Sequence, residues 1–381
     1  MNTLTELLSE KNINFLIGSG ASSPLYPTLS LGNNLPSFED FLCSEKLLPQ
    51  FKKILYCYYY AKWISPMQWS KIINKKEDSE YKNVSKAYEK FIELILEILN
   101  NESNERPKRA NIFTTNYDLL FEINFDDINT KNPLCFFNDG SRGFISRTLK
   151  ADNFYLNVSH SGYYDNYKYE VPTINLFKIH GSVSWNKKDD DIIINHPNEF
   201  LKELDDLIEA IDNFNINNID EIFKSFNPEE KLEELTIELN NRLTLLDIDD
   251  IQIDNFYNNY IKLAIINPNK WKFHDTVYEQ HYYQLIRSFS YEMEKKNTVL
   301  VVFAFSFADE HLFDIFRRSL LNPTLQVIMI SFSEDNQRYM KEKFIGFNNI
   351  IYYPKNFKNH DGSIIRGNFE FLNNLLRGQI E

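Results

Sequence analysis

Short apolar runs alternate with amphipathic stretches along most of the chain. Ile13 to Ile17 and Ala110 to Thr114 are mainly apolar runs of five residues, a length typical of strands buried on both faces. Phe38 to Tyr60 and Tyr81 to Leu99 instead repeat apolar residues at helical spacing. Between residues 134 and 185, polar and aromatic residues alternate, which predicts small hairpins that end in the strand Leu176–His180.

The C-terminal part repeats the same rhythm of strands and helices. Because strands that alternate with helices pair in parallel, the pattern predicts an α/β fold, a Rossmann-like parallel sheet with helices on both faces. The predicted strands are Leu263–Ile266, Thr298–Phe305, Gln326–Ile330 and Asn349–Tyr353, and the predicted helices are Val277–Met293, 308–320 and 334–344.

Most of the net charge lies in one segment. Residues 187–254 carry 20 acidic and 6 basic side chains, and the rest of the chain carries 35 basic and 34 acidic ones. Leu232, Leu235 and Leu239 follow helical spacing within this segment, and Pro228 precedes two glutamates at a favourable helix start. We expect two or three amphipathic helices, an acidic helical insert at 187–261, within a domain formed by 1–186 and 262–381.

The acidic segment has two interpretations. A solvated acidic surface is the simpler one, and a surface that docks a partner or a second copy is the other. In either case the carboxylates repel phosphates, so direct binding of nucleic acid here is not expected.

Composition narrows the class of protein further. Of the 381 residues 43% are hydrophobic and the formal net charge is −13. The longest apolar runs are about ten residues, half of a membrane span, and the N-terminus has no signal-peptide pattern, so we expect a cytoplasmic protein that does not contact membranes. Three cysteines without a CxxC pair exclude a disulfide framework and a four-cysteine zinc site.

Three motifs follow predicted strands, where open parallel sheets bind ligands. Gly18-Ser19-Gly20-Ala21-Ser22 provides glycines that let a backbone approach a phosphate. Thr114 to Asp118 and the pair His180-Gly181 follow two other strands. Taken singly, each has a structural explanation: a tight turn, turn and N-cap residues, and a hydrogen-bonded histidine.

Together and in this order, the motifs resemble the sirtuins, the family named for silent information regulator two. Gly18, Gly20, Ala21 and Ser22 match the GAGxS loop, with Ser19 in place of its alanine. Thr114 to Asp118 match the TQNID signature, retaining Asn116 and Asp118, and His180 matches the histidine of the HG pair. Residues 304–309 resemble a GxSxxD segment, with Ala304 in place of the glycine. The resemblance covers about 11–186 and 262–355, outside the acidic helices.

The departures from the family indicate which branch the chain resembles. It lacks the four cysteines of the deacylase zinc ribbon, and 62 residues separate Asp118 from His180. The resemblance therefore points to the sirtuin-like NAD hydrolases of bacterial antiviral defence, which deplete NAD. Because no sensor domain is left over, it implies a homo-oligomer with a separate partner, by analogy a hexameric HerA-type ATPase.

The resemblance also implies a division of roles. NAD is the substrate, and no metal is required. Backbone N–H groups at Gly18, Gly20 and Ala21 would bind its diphosphate, and Asn116 would bind the nicotinamide ribose or the attacking water. His180 would accept a proton, since histidine titrates near neutral pH. The other expected ligand-binding residues are Ser19, Ser22, Asp118, Ser306 and Asp309.

Other functions remain as alternatives. The same pocket could sense NAD or ADP-ribose and control assembly without turnover, although the retention of both Asn116 and His180 argues for chemistry. A nuclease subunit of a DNA-translocating complex is a second alternative, which no metal-carboxylate motif supports. Protein deacylation is the third.

Overall fold

The computed structural model describes residues 4–32, 34–103, 106–268, 280–359 and 361–379. Strands in these ranges follow the predicted apolar runs, with additional short strands in the hairpin region. In chain order they are β1 (Asn12–Ile17), β2 (Arg109–Thr114), β3 (Phe136–Asn138), β4 (Ser141–Arg142), β5 (Arg147–Leu149), β6 (Ser159–His160), β7 (Tyr169–Glu170), β8 (Thr173–Lys178), β9 (Gly181–Lys188), β10 (Asp191–Ile194), β11 (Leu263–Ile265), β12 (Thr298–Phe303), β13 (Gln326–Ile330) and β14 (Ile350–Tyr353).

Helices occupy most of the amphipathic stretches. In chain order they are α1 (Leu4–Leu8), α2 (Phe38–Leu42), α3 (Pro49–Tyr59), α4 (Trp69–Lys75), α5 (Ser79–Asn101), α6 (Leu120–Lys131), α7 (Glu199–Glu209), α8 (Ile216–Lys224), α9 (Leu232–Thr244), α10 (Asp250–Tyr260), α11 (Gln280–Glu294), α12 (Glu310–Ser319), α13 (Glu334–Lys343) and α14 (Phe369–Leu376). A π-helical turn over Tyr60–Ile64 extends α3, and short 3₁₀ turns cover Ser19–Ala21, Ser65–Met67 and Ala151–Tyr155.

A seven-stranded parallel sheet forms the centre of the molecule, in the order β14-β13-β12-β1-β2-β8-β3. Successive residues of a strand point to opposite faces, and β1 shows this directly. Phe15 and Ile17 pack with α5 and α14 on one face, whereas Leu16 packs with α11 and α12 on the other. The predicted Rossmann-like α/β fold, with helices on both faces, is therefore confirmed.

A ladder of buried asparagines crosses four neighbouring strands of this sheet. Asn111 Nδ2 donates to Asn14 Oδ1 at 2.8 Å, Asn175 Nδ2 to Asn111 Oδ1 at 2.8 Å, and Asn138 Nδ2 to Asn175 Oδ1 at 2.9 Å. These residues are direct register partners on β1, β2, β8 and β3. Because a shift of one residue would break every rung, the ladder fixes where these strands end.

A second, antiparallel sheet has the order β11-β9-β10-β5-β4, and β6 pairs with β7 in a separate hairpin. Small hairpins were predicted in this region. The segment from residue 187 begins in this sheet, since Lys187 and Lys188 complete β9 and Asp191–Ile194 form β10. The helical part of the acidic insert therefore begins at Glu199 rather than at 187.

The acidic insert is packed into the main core. Leu235 and Leu239 of α9 are completely buried in the same apolar cluster as Phe38 and Phe41 of α2. Asn240 reinforces this contact, since its Nδ2 donates to Lys46 O at 2.8 Å and its Oδ1 accepts from Leu48 N at 3.2 Å. The apolar stripe of the insert is thus covered by its own chain.

Some predicted boundaries differ from the structure. The stretch Phe38–Tyr60 is two helices, because Pro49 begins α3 after the chain has left α2 at Leu42. The insert has four helices rather than two or three, and α9 begins at Leu232, since Pro228 lies in a preceding turn. Strand β8 ends at Lys178, two residues before His180.

Two further predictions, on the helix before β12 and on membrane spans, can be compared only with the residues that the structure describes. The N-terminal end of the predicted helix Val277–Met293 lies outside the described residues, and its remainder matches α11. Within the described ranges, no helix is both long enough and apolar enough to span a membrane.

Candidate functional site at the strand ends

Four adjacent strands end in one row at the same edge of the parallel sheet. Ile17, the last residue of β1, is paired with Thr114 of β2 and with Phe303 of β12, and Thr114 is paired with Lys178 of β8. The segments that follow are the loop 18–22, the Asn116 loop, the His180 turn and the loop 304–309. The structure thus places all of the predicted site residues beyond one edge of the sheet.

The chain reverses its direction of travel across the sheet between β1 and β12. From β1 it proceeds through β2 and β8 to one side, and later returns through β12, β13 and β14 on the other. Open α/β sheets bind their ligands at such a switch point, in the crevice between the loops that leave the two strands. Here those loops are 18–22 and 304–309.

The glycine loop is closed onto the neighbouring loop. Gly18 N donates to Phe303 O at 3.1 Å, and Ala21 N donates back to Gly18 O at 3.1 Å. The bond from Gly20 N to Ala304 O is longer, at 3.4 Å. The N–H groups expected to bind a diphosphate thus donate to main-chain oxygens in this structure, while Ser19 and Gly20 remain exposed.

Close packing explains the glycine at position 18. A Cβ there would lie 2.4 Å from Ala304 O, so a side chain would force the two loops apart. Ala304 itself has φ +54°, in the left-handed region that favours glycine. Ala304 thus occupies the conformation for which the GxSxxD pattern has glycine. Ser306, two residues further, is exposed.

A buried chain of hydrogen bonds joins the glycine loop to the Asn116 loop. Asn116 Nδ2 donates to Ser22 Oγ at 3.1 Å, and Ser22 Oγ donates to Asp118 Oδ2 at 2.8 Å. Asp118 Oδ1 also accepts from Leu120 N at 3.0 Å, at the start of α6. Ser22 and Asp118 therefore hold the Asn116 amide in one orientation.

Two polar atoms of this cluster are buried without a hydrogen bond. They are Asn116 Oδ1 and the hydroxyl of Tyr88, which projects from α5 and is completely buried. The hydroxyl lies against Ser22 and Asn116 without hydrogen-bond geometry to either; burial raises the pKa of Tyr88 well above its ordinary value, and these two neighbours oppose the rise. An acceptor and a donor are thus both available to a group that enters the site.

The unpaired hydroxyl gives a prediction about stability. Tyr88→Phe removes a buried polar group that makes no bond, so the free energy of unfolding should stay at or above the wild-type value. Tyr60 is the matched control, because it is equally buried and its hydroxyl donates to Leu201 O at 2.7 Å. Tyr60→Phe should cost about 1–3 kcal/mol. Urea unfolding of both variants measures the difference, and equal losses would contradict the description of Tyr88.

His180 is paired with Asp309 at the other side of the crevice. His180 Nε2 lies 3.0 Å from Asp309 Oδ2, and both side chains are buried. Asp309 Oδ1 also caps α12 by accepting from Leu312 N at 3.0 Å. In the neutral imidazole, an Nε2–H that donates to this carboxylate makes Nδ1 the acceptor nitrogen. The role of Asp309 in ligand contact remains a prediction.

Several residues at this edge were missed from sequence. Lys178 Nζ donates to Asp118 O and lies 3.0 Å from Glu122 Oε1. Burial raises the pKa of Glu122, and Lys178 opposes this rise. Burial also lowers the pKa of His311, which Asp309 and Asp314 counteract and His180 reinforces. The sequence did offer a signal for Lys178, because a lysine within the apolar run of β8 indicates a buried charge that needs a partner.

Metal ligands are not grouped in the part of the chain that the structure describes. No set of three or more His, Cys, Asp or Glu side chains there is placed to hold an ion. Cys43, Cys57 and Cys135 form no disulfide bond, and burial raises the pKa of Cys135 to about 11. Independence from metals remains a prediction for experiment.

Neither a scan against models of known protein families nor a search of curated proteins gives a match for this chain. The resemblance to the sirtuins therefore has its support in the motifs themselves. The geometry adds that the residues of these motifs lie beyond one sheet edge, with Asn116 and His180 both buried there.

Proposed function

We propose that this protein cleaves NAD to nicotinamide and ADP-ribose at the crevice between β1 and β12. The observation that carries the proposal is the buried Asn116, whose Oδ1 has no partner although its Nδ2 is fixed by Ser22. An unpaired acceptor held rigidly at a switch point fits a ribose hydroxyl or a water molecule, each of which supplies the missing donor.

The chemistry needs few groups. Nicotinamide leaves as a neutral molecule from a cationic precursor, so its departure requires no general acid. The water oxygen forms a bond to the ribose C1′ while the C1′–N bond breaks, and the electron pair of that bond goes to the nicotinamide nitrogen. Asn116 orients the water or ribose, and His180 Nδ1 takes the proton that is released, with Asp309 stabilising the imidazolium.

Binding of the diphosphate requires a change in the glycine loop. The bond from Gly20 N to Ala304 O is the longer of the two that join the loop to residues 303 and 304, and Gly20 is exposed. We propose that NAD displaces this bond first, so that the loops 18–22 and 304–309 separate around the phosphates. Such a closed resting state accords with an enzyme that a partner activates.

The wider role follows by analogy with the sirtuin-like hydrolases of antiviral defence. We propose a cytoplasmic homo-oligomer that depletes NAD during abortive infection, together with a separate HerA-type ATPase. The packing of the acidic helices supports a separate partner, because these helices share the core around the parallel sheet instead of forming a sensor domain of their own.

The decisive test is to incubate the purified protein with NAD, alone and with the candidate ATPase, and to quantify nicotinamide by chromatography. Release of nicotinamide with an equal amount of ADP-ribose is expected. If calorimetry shows that NAD binds but no nicotinamide is released under either condition, the protein is an NAD-sensing module and not a hydrolase. Degradation of DNA without loss of NAD would replace it by the nuclease.

The same assay tests the independence from metals. Because the proposed mechanism uses water activated by His180, cleavage should proceed unchanged after incubation with EDTA or a strong zinc chelator. A zinc-dependent hydrolase treated in parallel shows that the chelator is effective. Stoichiometric zinc in elemental analysis, together with activity lost on its removal and restored by zinc, would contradict the prediction.

A further inference from the structure

An apolar hairpin tip projects from the antiparallel sheet. Phe144 and Ile145, between β4 and β5, are completely exposed, with relative exposures of 107% and 102%. Neither side chain carries a polar group, so together they offer an apolar contact surface at the end of the hairpin. Residues 140–150 also carry three basic side chains and no acidic one. We refer to Arg142–Arg147 as the hairpin tip.

The hairpin tip is held in a defined shape. Gly143 has φ +131°, and a Cβ there would lie 2.0 Å from Ser146 O, so the turn is tight. At its base, Arg147 Nη2 lies 2.5 Å from Asp139 Oδ2, and β5 pairs with β10. Phe144 and Ile145 are therefore presented by a fixed turn, which reduces the entropy lost on docking.

A surface of opposite charge lies on the acidic insert. Where α9 leads into α10, Leu245 and Ile251 are each 81% exposed. Residues 245–254 contain four aspartates and no basic residue, and one of these, Asp254, is paired with Lys53. Asp249 caps α10 through the N–H groups of Ile251 and Gln252, which fixes this surface too. We refer to residues 245–251 as the acidic corner.

The hairpin tip and the acidic corner complement each other. Each presents two large apolar side chains, and the two surfaces carry opposite charges. Both are exposed in the same molecule, so neither covers the other within one chain. We infer that the hairpin tip of one copy docks on the acidic corner of a second copy.

Such a contact joins different surfaces of identical chains. It is head-to-tail and leaves a free tip at one end and a free corner at the other, so copies add until a ring closes or a chain extends. Two apolar side chains bury much less area than the roughly 800 Å² per partner of a stable interface, so a single contact is weak. Closure of a ring would strengthen the assembly, because each copy is then held by two contacts. Opposite charges speed the encounter and make it weaken with salt.

The test uses analytical ultracentrifugation of the whole protein at low ionic strength. Wild type should form oligomers larger than dimers as its concentration rises. The double variants Phe144→Ser/Ile145→Ser and Leu245→Ser/Ile251→Ser should each weaken self-association at least about tenfold. Each variant loses two apolar side chains that the contact between copies would bury. Tyr163→Ser/Tyr164→Ser removes a comparably exposed pair from the β6–β7 hairpin and should change nothing.

Mixing the two defective variants makes the test specific. The tip variant keeps an intact corner and the corner variant an intact tip, so their mixture should form one-to-one dimers that grow no further. A wild type that stays monomeric, a tip variant that assembles like wild type, or a mixture without dimers would each overturn the inference. A further result would also overturn it: a wild type that is monomeric and sediments with phosphatidylserine vesicles, while the Phe144→Ser/Ile145→Ser variant does not. That result would assign the tip to a membrane. Circular dichroism verifies that every variant is folded.

Discussion

Asn116→Ala and His180→Ala are each expected to lower NAD turnover by at least about 100-fold, the loss typical of removing a general base or its equivalent. Asn116→Ala removes the buried acceptor that has no hydrogen bond, and His180→Ala removes the proton acceptor together with its contact to Asp309. Both should leave the fold intact, because neither side chain belongs to the apolar core. Initial rates of nicotinamide release at saturating NAD measure the effect.

A matched control separates the chemistry from a general loss of histidine. His160 is exposed on β6, in the hairpin that pairs with β7, and His160→Ala should retain full turnover. Circular dichroism and thermal unfolding establish that the three variants are equally folded. Wild-type rates in both Asn116→Ala and His180→Ala would exclude this crevice as the site of cleavage.

The sheet was predictable because its strands are apolar on both faces. A run such as Ile13–Ile17 is too short for a helix and too apolar for a surface, so burial in a parallel sheet is the physical solution. The asparagine ladder was not predicted, although Asn14, Asn111 and Asn175 all interrupt apolar runs. A polar residue within one strand says nothing of its partners until the register is known.

The sequence predicted which loops form the candidate site, but it did not predict which side chains contact each other there. Motifs that follow parallel strands converge at one edge, which places Asn116 and His180 on the same side of the sheet. The pairing of His180 with Asp309 joins residues 129 positions apart and depends on how the loop 304–309 bends. Tyr88 carried a local signal, since it precedes Phe91 by three residues on the buried face of α5.

The acidic insert shows where composition misleads. Its charge indicated a peripheral surface. The hydroxyl of Tyr60, the first residue of the π-helical turn, nevertheless lies 2.9 Å from Asp205 Oδ1 of α7, and Gln68 Nε2 donates to Asp205 Oδ2 at 2.9 Å. Lys71 lies 2.7 Å from the same carboxylate. Asp205 thus connects the insert to the rest of the domain. Net charge describes the solvent-facing side of these helices, and the apolar positions decide where they pack.

Leu239→Ala in α9 is therefore expected to destabilise the whole protein by about 2–5 kcal/mol, the range for truncating a buried leucine. Leu239 is completely buried in the cluster that includes the sheet residue Phe15, so the cavity opens in the common core. Because the insert and the sheet share that core, unfolding should remain a single cooperative transition at a lower urea concentration. Urea unfolding followed by circular dichroism and by tryptophan fluorescence measures both properties.

The matched control reverses charge on the same segment without touching the core. Glu229, Glu230, Glu233 and Glu234 lie in or before the first turn of α9 and are exposed, so changing all four to Lys should cost far less than Leu239→Ala. Some loss is expected, because two of these acids favour the N-terminal end of the helix dipole, at about 0.3–1 kcal/mol each. If Leu239→Ala instead gave two separate transitions, with the sheet unfolding at the wild-type urea concentration, the insert would be an independent unit attached to the fold.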